Sequence, residues 1–370
     1  MSQHLISSLS RRSALKLAAG VVAAPFVMRS CLAEGAWPDD TEVPSGLKGS
    51  GEIRLASFGG ATQDALQKAV FGPFEKATGI KVRAFPTADA AKLKAMVDTG
   101  NVEWDVMHAS RGSIMNLMKN GDYFEKLDYS LVDESVRKEH GFEYGLEFNL
   151  WAQVAAYRND AFKGASPKNW ADFWDIEKFP GGRALTGAVG SNNPEMEFAL
   201  MAAGVPAERV YPINVDKALE SYSKIKQHVI KWWDTGAQPV QLLTDGEVVM
   251  TTVFSGRMEQ LQKDGVPVAI CWNQGLAKRD AWGVPKGAKN KINAMKFVAY
   301  STMARPQARF ALAGPFGTVN EGAIEYLPPQ RLAMLPSAPE IKKQLVPYNY
   351  DWWIANREAA VAKFNKWLLS

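Results

Sequence analysis

From Gly51 onward the chain alternates two hydrophobic rhythms, apolar residues at every second position and then apolar residues at helical spacing, and few architectures tolerate that alternation. Ile53 and Leu55 alternate with polar neighbours in a short strand that ends at Ser57-Phe58-Gly59-Gly60. Leu66, Ala69, Val70 and Phe74 then mark one face of a helix with Gly79 at its C-cap, before Ile80, Val82 and Ala84 begin another strand. A helix carrying Leu93, Met96 and Val97 closes at Gly100, and Trp104-Asp105-Val106-Met107 forms a third strand. This β-α-β-α-β order predicts an α/β chain in which helices flank a sheet.

The same grammar returns later with different spacing. Trp170–Asp175 reads as a helix, Arg183-Ala184-Leu185-Thr186 as a strand, and Pro194–Ala203 as a helix ended by Gly204. Tyr222, Ile225, Val229 and Trp233 fall on one face of a longer helix expected over Asp216–Trp233. Val248–Phe254 and Val266–Trp272 read as buried strands with an amphipathic helix between them. No tandem repeat or low-complexity linker interrupts the pattern.

The N-terminus predicts the compartment. Arg11 and Arg12 precede an apolar stretch, Leu17–Met28, that is too short for a permanent membrane anchor and is followed by small residues around Ala33. Basic, apolar and small residues in that order predict a cleaved export leader over 1–33, of the twin-arginine type, and therefore a periplasmic protein. An alternative reading makes Cys31 a lipid-attachment site. After Met28 no apolar run approaches ~20 residues, so no second membrane segment is expected. Residues 34–370 exceed what one hydrophobic core usually organises, which predicts two domains. They retain Cys271 alone, so no intramolecular disulfide is expected and the core must hold the fold unaided.

Several functional classes lack their handles. Basic and acidic residues are interspersed, with a net charge of only +4, so no nucleic-acid partner is expected. His108, His140 and His228 are scattered without metal-ligand spacing, and no Gly-x-Ser-x-Gly elbow, P-loop or Gly-x-Gly-x-x-Gly is present. Neither a cofactor, a metal nor enzymatic turnover is expected. Cys271, on an apolar strand, reads as a small core residue.

The ordered segments Phe58-Gly59-Gly60, Phe71-Gly72-Pro73-Phe74-Glu75-Lys76-Ala77-Thr78-Gly79-Ile80, Trp104-Asp105-Val106, Asn169–Trp174, Phe179–Arg183, Leu243–Glu247 and Val284–Asn290 resemble the extracellular solute-binding proteins, the spermidine/putrescine-binding group above all. The resemblance spans residues 50–320. It implies a type II periplasmic-binding-protein fold, with two lobes that each have a mixed sheet flanked by helices and that close on a solute held between them. By analogy the first lobe is 50–149 plus 272–318 and the second 150–271 plus 319–370. The implied protein is the periplasmic component of an ABC importer, a monomer that delivers a small solute to an inner-membrane permease. Crossovers near Glu147–Trp151 and near Trp272 are the hinge candidates.

Ligands of open α/β sheets gather at the C-terminal ends of strands, which points to Phe58, Gly59 and Gly60, Ser110 and Arg111, Phe254 and Arg257, and Trp272 and Gln274. The glycines let backbone N–H groups approach a solute, and the aromatic residues can stack on it. Where polyamine-binding relatives place carboxylates, this sequence has Ser191, Pro194 and Gln274, with Glu195 the nearest acid. Arg111 and Arg257 instead offer planar forks for a carboxylate, which predicts an anionic or amino-acid-like solute. The alternatives are a true polyamine binder, an exported enzyme or sensory partner, and a ferric-ion binder. The last lacks a neighbouring tyrosine pair, since Tyr348 and Tyr350 lie in the tail beyond the resemblance.

Overall fold

Short apolar alternations become strands and amphipathic stretches become the helices over them, in a computed structural model that describes residues 42–189 and 193–370. The expected leader over 1–33, Cys31 and Ser191 lie outside the described residues. The strands are β1 (Glu52–Ala56), β2 (Lys81–Phe85), β3 (Val106–Ser110), β4 (Gly141–Phe142), β5 (Gly145–Arg158), β6 (Arg183–Thr186), β7 (Val229–Trp233), β8 (Met250–Phe254), β9 (Val268–Gly283), β10 (Gly317–Thr318) and β11 (Val346–Pro347). They form one mixed sheet in the order β2-β1-β3-β9-β5-β8-β6-β7, with β4 and β10 on β5 and β11 on β9.

The two long strands explain the architecture. β5 has 14 residues and β9 has 16, so at about 3.3 Å per residue each reaches some 45 Å or more. They pair antiparallel along most of that length. Three parallel strands, β2, β1 and β3, continue the sheet at one end, and three more, β7, β6 and β8, continue it at the other. Ser110 at the end of β3 stands opposite Asp280, and Phe254 at the end of β8 stands opposite Gln153. Both parallel sets therefore finish at the middle of the β5–β9 ribbon, where open α/β sheets hold their ligands.

The ribbon is irregular at that middle. Its register shifts between Glu147 and Asn149, and again between Gln153 and Ala155, where residues 272–275 of β9 bulge opposite the single residue Val154. These are the neighbourhoods expected to hinge. Separate cores flank them. Leu93, Trp104, Met107 and Phe124 pack in one half, while Phe173, Met196 and Tyr222 surround Trp170 in the other, where Trp170 stacks on Phe198 with ring centres 3.7 Å apart.

One helix is shorter than the periodicity predicts. The segment expected as a single helix over Asp216–Trp233 is helical over Val215–Ile225 and becomes β7 at Val229. Val229, Ile230, Trp232 and Trp233 are β-branched or aromatic, and pairing with β6 overrides a helical spacing that Val229 and Trp233 satisfy by coincidence.

Candidate ligand-binding site

Residues directly opposite on antiparallel strands project to the same face. The pairs Asn149 with Asp280, Trp151 with Lys278 and Gln153 with Leu276 therefore build one face at the centre of the ribbon. Asp280 accepts hydrogen bonds from Asn149 Nδ2 at 3.2 Å and Trp151 Nε1 at 3.1 Å. It forms no ion pair among the described residues. Burial pushes its carboxyl up to about 6, against the pull of those two hydrogen bonds.

Lys278, two residues before it, is enclosed differently. Its Nζ donates to Gln153 Oε1 at 2.8 Å and lies 4.6 Å from the Tyr348 ring centre and 5.5 Å from that of Trp151. The charges of Glu195 and Glu197 also act on it, and burial lowers its ammonium pKa. Glu195 is buried, and burial pushes its carboxyl up to about 8 against the attraction of Lys278. Glu197 accepts from Tyr211 at 2.5 Å and from Trp353 Nε1 at 2.7 Å, leaving its Oε2 without a partner among the described residues.

Arg111, where β3 passes into the helix Arg111–Lys119, binds Glu147 through Nη1 at 2.7 Å. The Glu147 side chain is 2% exposed, is hydrogen-bonded to His140 Nδ1 at 2.8 Å, and ion-pairs with Arg279, whose Nε lies 3.0 Å away. Burial pushes the Glu147 carboxyl up, but the hydrogen bond from His140 and the charges of Arg279 and Arg111 hold it below its usual range. The rings of Phe142 and Tyr350 flank the Arg111 guanidinium at 4.9 and 5.7 Å, and its Nε is buried without a partner among the described residues. Tyr350 also accepts from the Arg279 backbone N–H at 2.7 Å, and the charges of both Glu147 and Asp280 reach its hydroxyl, so the two polar clusters meet there.

The other expected residues separate into two groups. Phe58 is 47% exposed and rests on His108 at 4.7 Å, and His108 Nε2 approaches Asn149 Oδ1 at 3.4 Å. Burial pushes His108 down to about 3, so this ring is neutral. Gly59 and Gly60 have positive φ, and Ser110 caps its helix by accepting from the Ser113 N–H. Phe254 packs edge-on against Trp151 at 5.3 Å, and Arg257 lies exposed beside Gly236, with no hydrogen bond or ion pair among the described residues. Trp272, by contrast, packs with Ala152, Val154 and Val253 and lines a groove of about 300 Å³ with Ser255 and Pro315. Ala152 and Val154 alternate with Trp151 and Gln153, so this groove is on the opposite face. Gln274 has φ 63° and holds the bulge, its backbone oxygen accepting from Trp170 Nε1 at 2.9 Å and its N–H donating to Gln344.

The turn before the first helix provides a direct prediction. A Cβ on Gly59 would lie 2.8 Å from the Pro86 backbone oxygen, at φ 73°. Gly59→Ala is expected to destabilise the fold by about 1–3 kcal/mol, seen as a lower urea midpoint with unchanged slope. A midpoint equal to wild type contradicts this geometry.

Trp151, Lys278 and Asp280 were not among the expected site residues. Their signal is an alternation of polar and charged side chains in the middle of long, otherwise apolar strands. Tyr348 and Tyr350, set aside as tail residues, also belong here, with ring centres 5.0 Å apart. Neither phenol is free for a metal. Tyr348 accepts from Asn193 Nδ2, Tyr350 is tied to the backbone of Arg279, and burial raises both pKa values above the ordinary tyrosine range.

Comparison with known proteins identifies similar chains. The family model described as bacterial extracellular solute-binding protein matches residues 69–343. A gamma-aminobutyric acid-binding protein of Pseudomonas aeruginosa is 35% identical over 326 residues, covering 86% of this chain and 91% of that one. A spermidine/putrescine-binding periplasmic protein of Salmonella typhimurium is 25% identical over 291 residues, covering 73% and 80%. The crystal structure of an ABC transporter substrate-binding protein from Bradyrhizobium japonicum superposes with a TM-score of 0.78 at 33% identity, over 86% of this chain and 99% of that one.

Proposed function

This chain belongs to the bacterial extracellular solute-binding family, and we propose that the solute it captures is a small zwitterion of the amino-acid kind, with one ammonium and one carboxylate. As a member of that family it is the solute-binding component of an ABC transporter. One observation carries the choice of ligand. Asp280 is a carboxylate on the central face with two neutral N–H donors and, among the described residues, no ion-pair partner, a position that an incoming ammonium completes, with the Trp151 ring beside it. The solute carboxylate goes to Arg111, fixed in plane by Glu147 and two aromatic rings with an N–H to spare, and Arg257 reaches it from the other rim. The gamma-aminobutyric acid-binding relative supports this choice.

In this reading the lobes are 50–149 with 272–318 and 150–271 with 319–370, hinged at the register shifts of β5 and β9. Export by the leader over 1–33, residence in the periplasm, a monomeric state and delivery to an inner-membrane permease without chemistry on the solute complete it. Native mass spectrometry of the exported protein, before and after denaturation, tests it. Release of an amino acid supports the reading, and release of a sugar or metal ion overturns it.

Affinity also depends on pH with a defined sign. Asp280 must be ionised to hold an ammonium, and its carboxyl sits at about 6 before the solute arrives. Affinity is therefore full above that value and falls as pH drops through it, by up to about tenfold per unit. Calorimetric titrations between pH 5 and 8 check this, and Asp280→Asn should lose the step. Affinity flat across pH 6 excludes Asp280 as the ammonium site.

A diamine is the second reading, favoured by the buried acids Glu195 and Glu197 and by the polyamine-binding relative. Lys278 discriminates between the two.

A further inference from the structure

We infer that Lys278 determines specificity by placing its own ammonium where the second ammonium of a diamine would bind, so that the cleft accepts solutes with one ammonium and rejects those with two. The inference rests on the reading of the cleft given above and refines its substrate class.

The surroundings of Lys278 have the chemistry of an alkylammonium site. Two aromatic rings face the Nζ at 4.6 and 5.5 Å, and an amide oxygen lies at 2.8 Å. Gln153 gives its NH₂ to Thr186 Oγ1 at 2.8 Å, which turns its carbonyl oxygen towards the lysine. Glu195 and Glu197, both buried, attract a cation there when ionised, and burial raises the carboxyl pKa of each. Ring faces, a carbonyl oxygen and carboxylates are what an ammonium needs on leaving water. Here the chain supplies the ammonium itself, on a tether that spares the entropy of association.

The neighbouring station is open. Asp280 lies two residues further along the same face, about 7 Å away by strand geometry, and has no ion-pair partner among the described residues. The ribbon thus carries two ammonium stations at a spacing that a short alkyl chain spans, one filled from within and one left for solute. A diamine seated at Asp280 would drive its second ammonium against Lys278, and like charges held close in a desolvated cleft are strongly discriminating. A solute whose far end is a carboxylate meets no such repulsion and can turn to Arg111.

Calorimetric titration of wild type, Lys278→Ala and Lys278→Arg with 1,4-diaminobutane and 4-aminobutanoate tests this. Wild type is expected to bind the diamine on the order of 100-fold more weakly than the amino acid. Lys278→Ala should tighten the diamine by at least about tenfold, while Lys278→Arg keeps the rejection. Lys278→Met, which fills the volume without the charge, carries the same expectation as alanine should that variant fold poorly. Unchanged diamine affinity in a folded, neutral variant overturns the role of Lys278 and leaves the amino-acid reading intact. Wild type that binds neither solute, with a neutral variant that gains the diamine, overturns the amino-acid reading and leaves Lys278 as the excluding cation. Wild type that prefers the diamine overturns both.

Discussion

Asp280→Asn is expected to weaken solute capture by at least about thirtyfold, because truncating one partner of a buried charge pair costs about 2–5 kcal/mol. The asparagine keeps the size of the side chain, and its oxygen still accepts from Trp151 Nε1 or Asn149 Nδ2. What disappears is the negative charge that faces an ammonium. The unliganded fold should not suffer, since this carboxylate has no ion-pair partner among the described residues to lose and its ionisation is already opposed by burial. Calorimetry reads the loss of affinity, and thermal unfolding without solute reads the intact fold. Binding within a few-fold of wild type would remove Asp280 from the site.

The second large effect falls on stability. Glu147 neutralises part of the charge of Arg111 and Arg279 and accepts from His140, all from a position 2% exposed. Glu147→Ala leaves two guanidinium groups crowded together without their anion, and breaking such a buried pair from one side costs about 3–5 kcal/mol. Urea unfolding should show a much lower midpoint. The effect has a pH signature of known sign. The folded Glu147 carboxyl lies below its unfolded value, so its contribution is present above the unfolded carboxylate range near 4.5 and is lost as pH falls through the folded value. Wild type and Glu147→Gln should therefore converge in stability under strongly acidic conditions. A difference that persists unchanged there would show that packing, and not charge, holds Glu147.

How far the chain could be read in advance depended on whether a signal was local. The alternation around Ile53 and Leu55 and the glycine stops at Gly79 and Gly100 are local, and the elements they announce are present at β1, β2, β3 and their helices. The loops at Phe58, Ser110 and Phe254 were legible for the same reason, since a strand ending in serine or glycine before a helix can be read within a few residues. β5 and β9 were not legible at their full lengths. Their central residues mix Glu147, Asn149, Lys278, Arg279 and Asp280 into apolar runs, and the period-2 pattern breaks at each register shift. That break also accounts for Trp272 and Gln274. A strand expected to end at Trp272 instead runs on through the bulge at residues 272–275 to Gly283, so neither residue stands at a strand end. The helical spacing of Val229 and Trp233 misled in the opposite direction, because sheet pairing with β6 outweighs a periodicity two residues can satisfy by chance. Tyr348 and Tyr350 reach the site only because β11 joins β9 at Leu276 and Ala277, a pairing far apart in sequence that no local pattern encodes.

The central claim is that one cleft recognises an ammonium and a carboxylate together, with Asp280 and Arg111 as their separate partners. Isothermal titration of the wild-type protein with 4-aminobutanoate, butanoate and 1-aminobutane at pH 7.5 tests it most directly. The account predicts that the amino acid binds at least about 100-fold more tightly than either single-ended analogue, each of which forfeits one charge-assisted pairing. Equal affinity for the amino acid and for either analogue would contradict it.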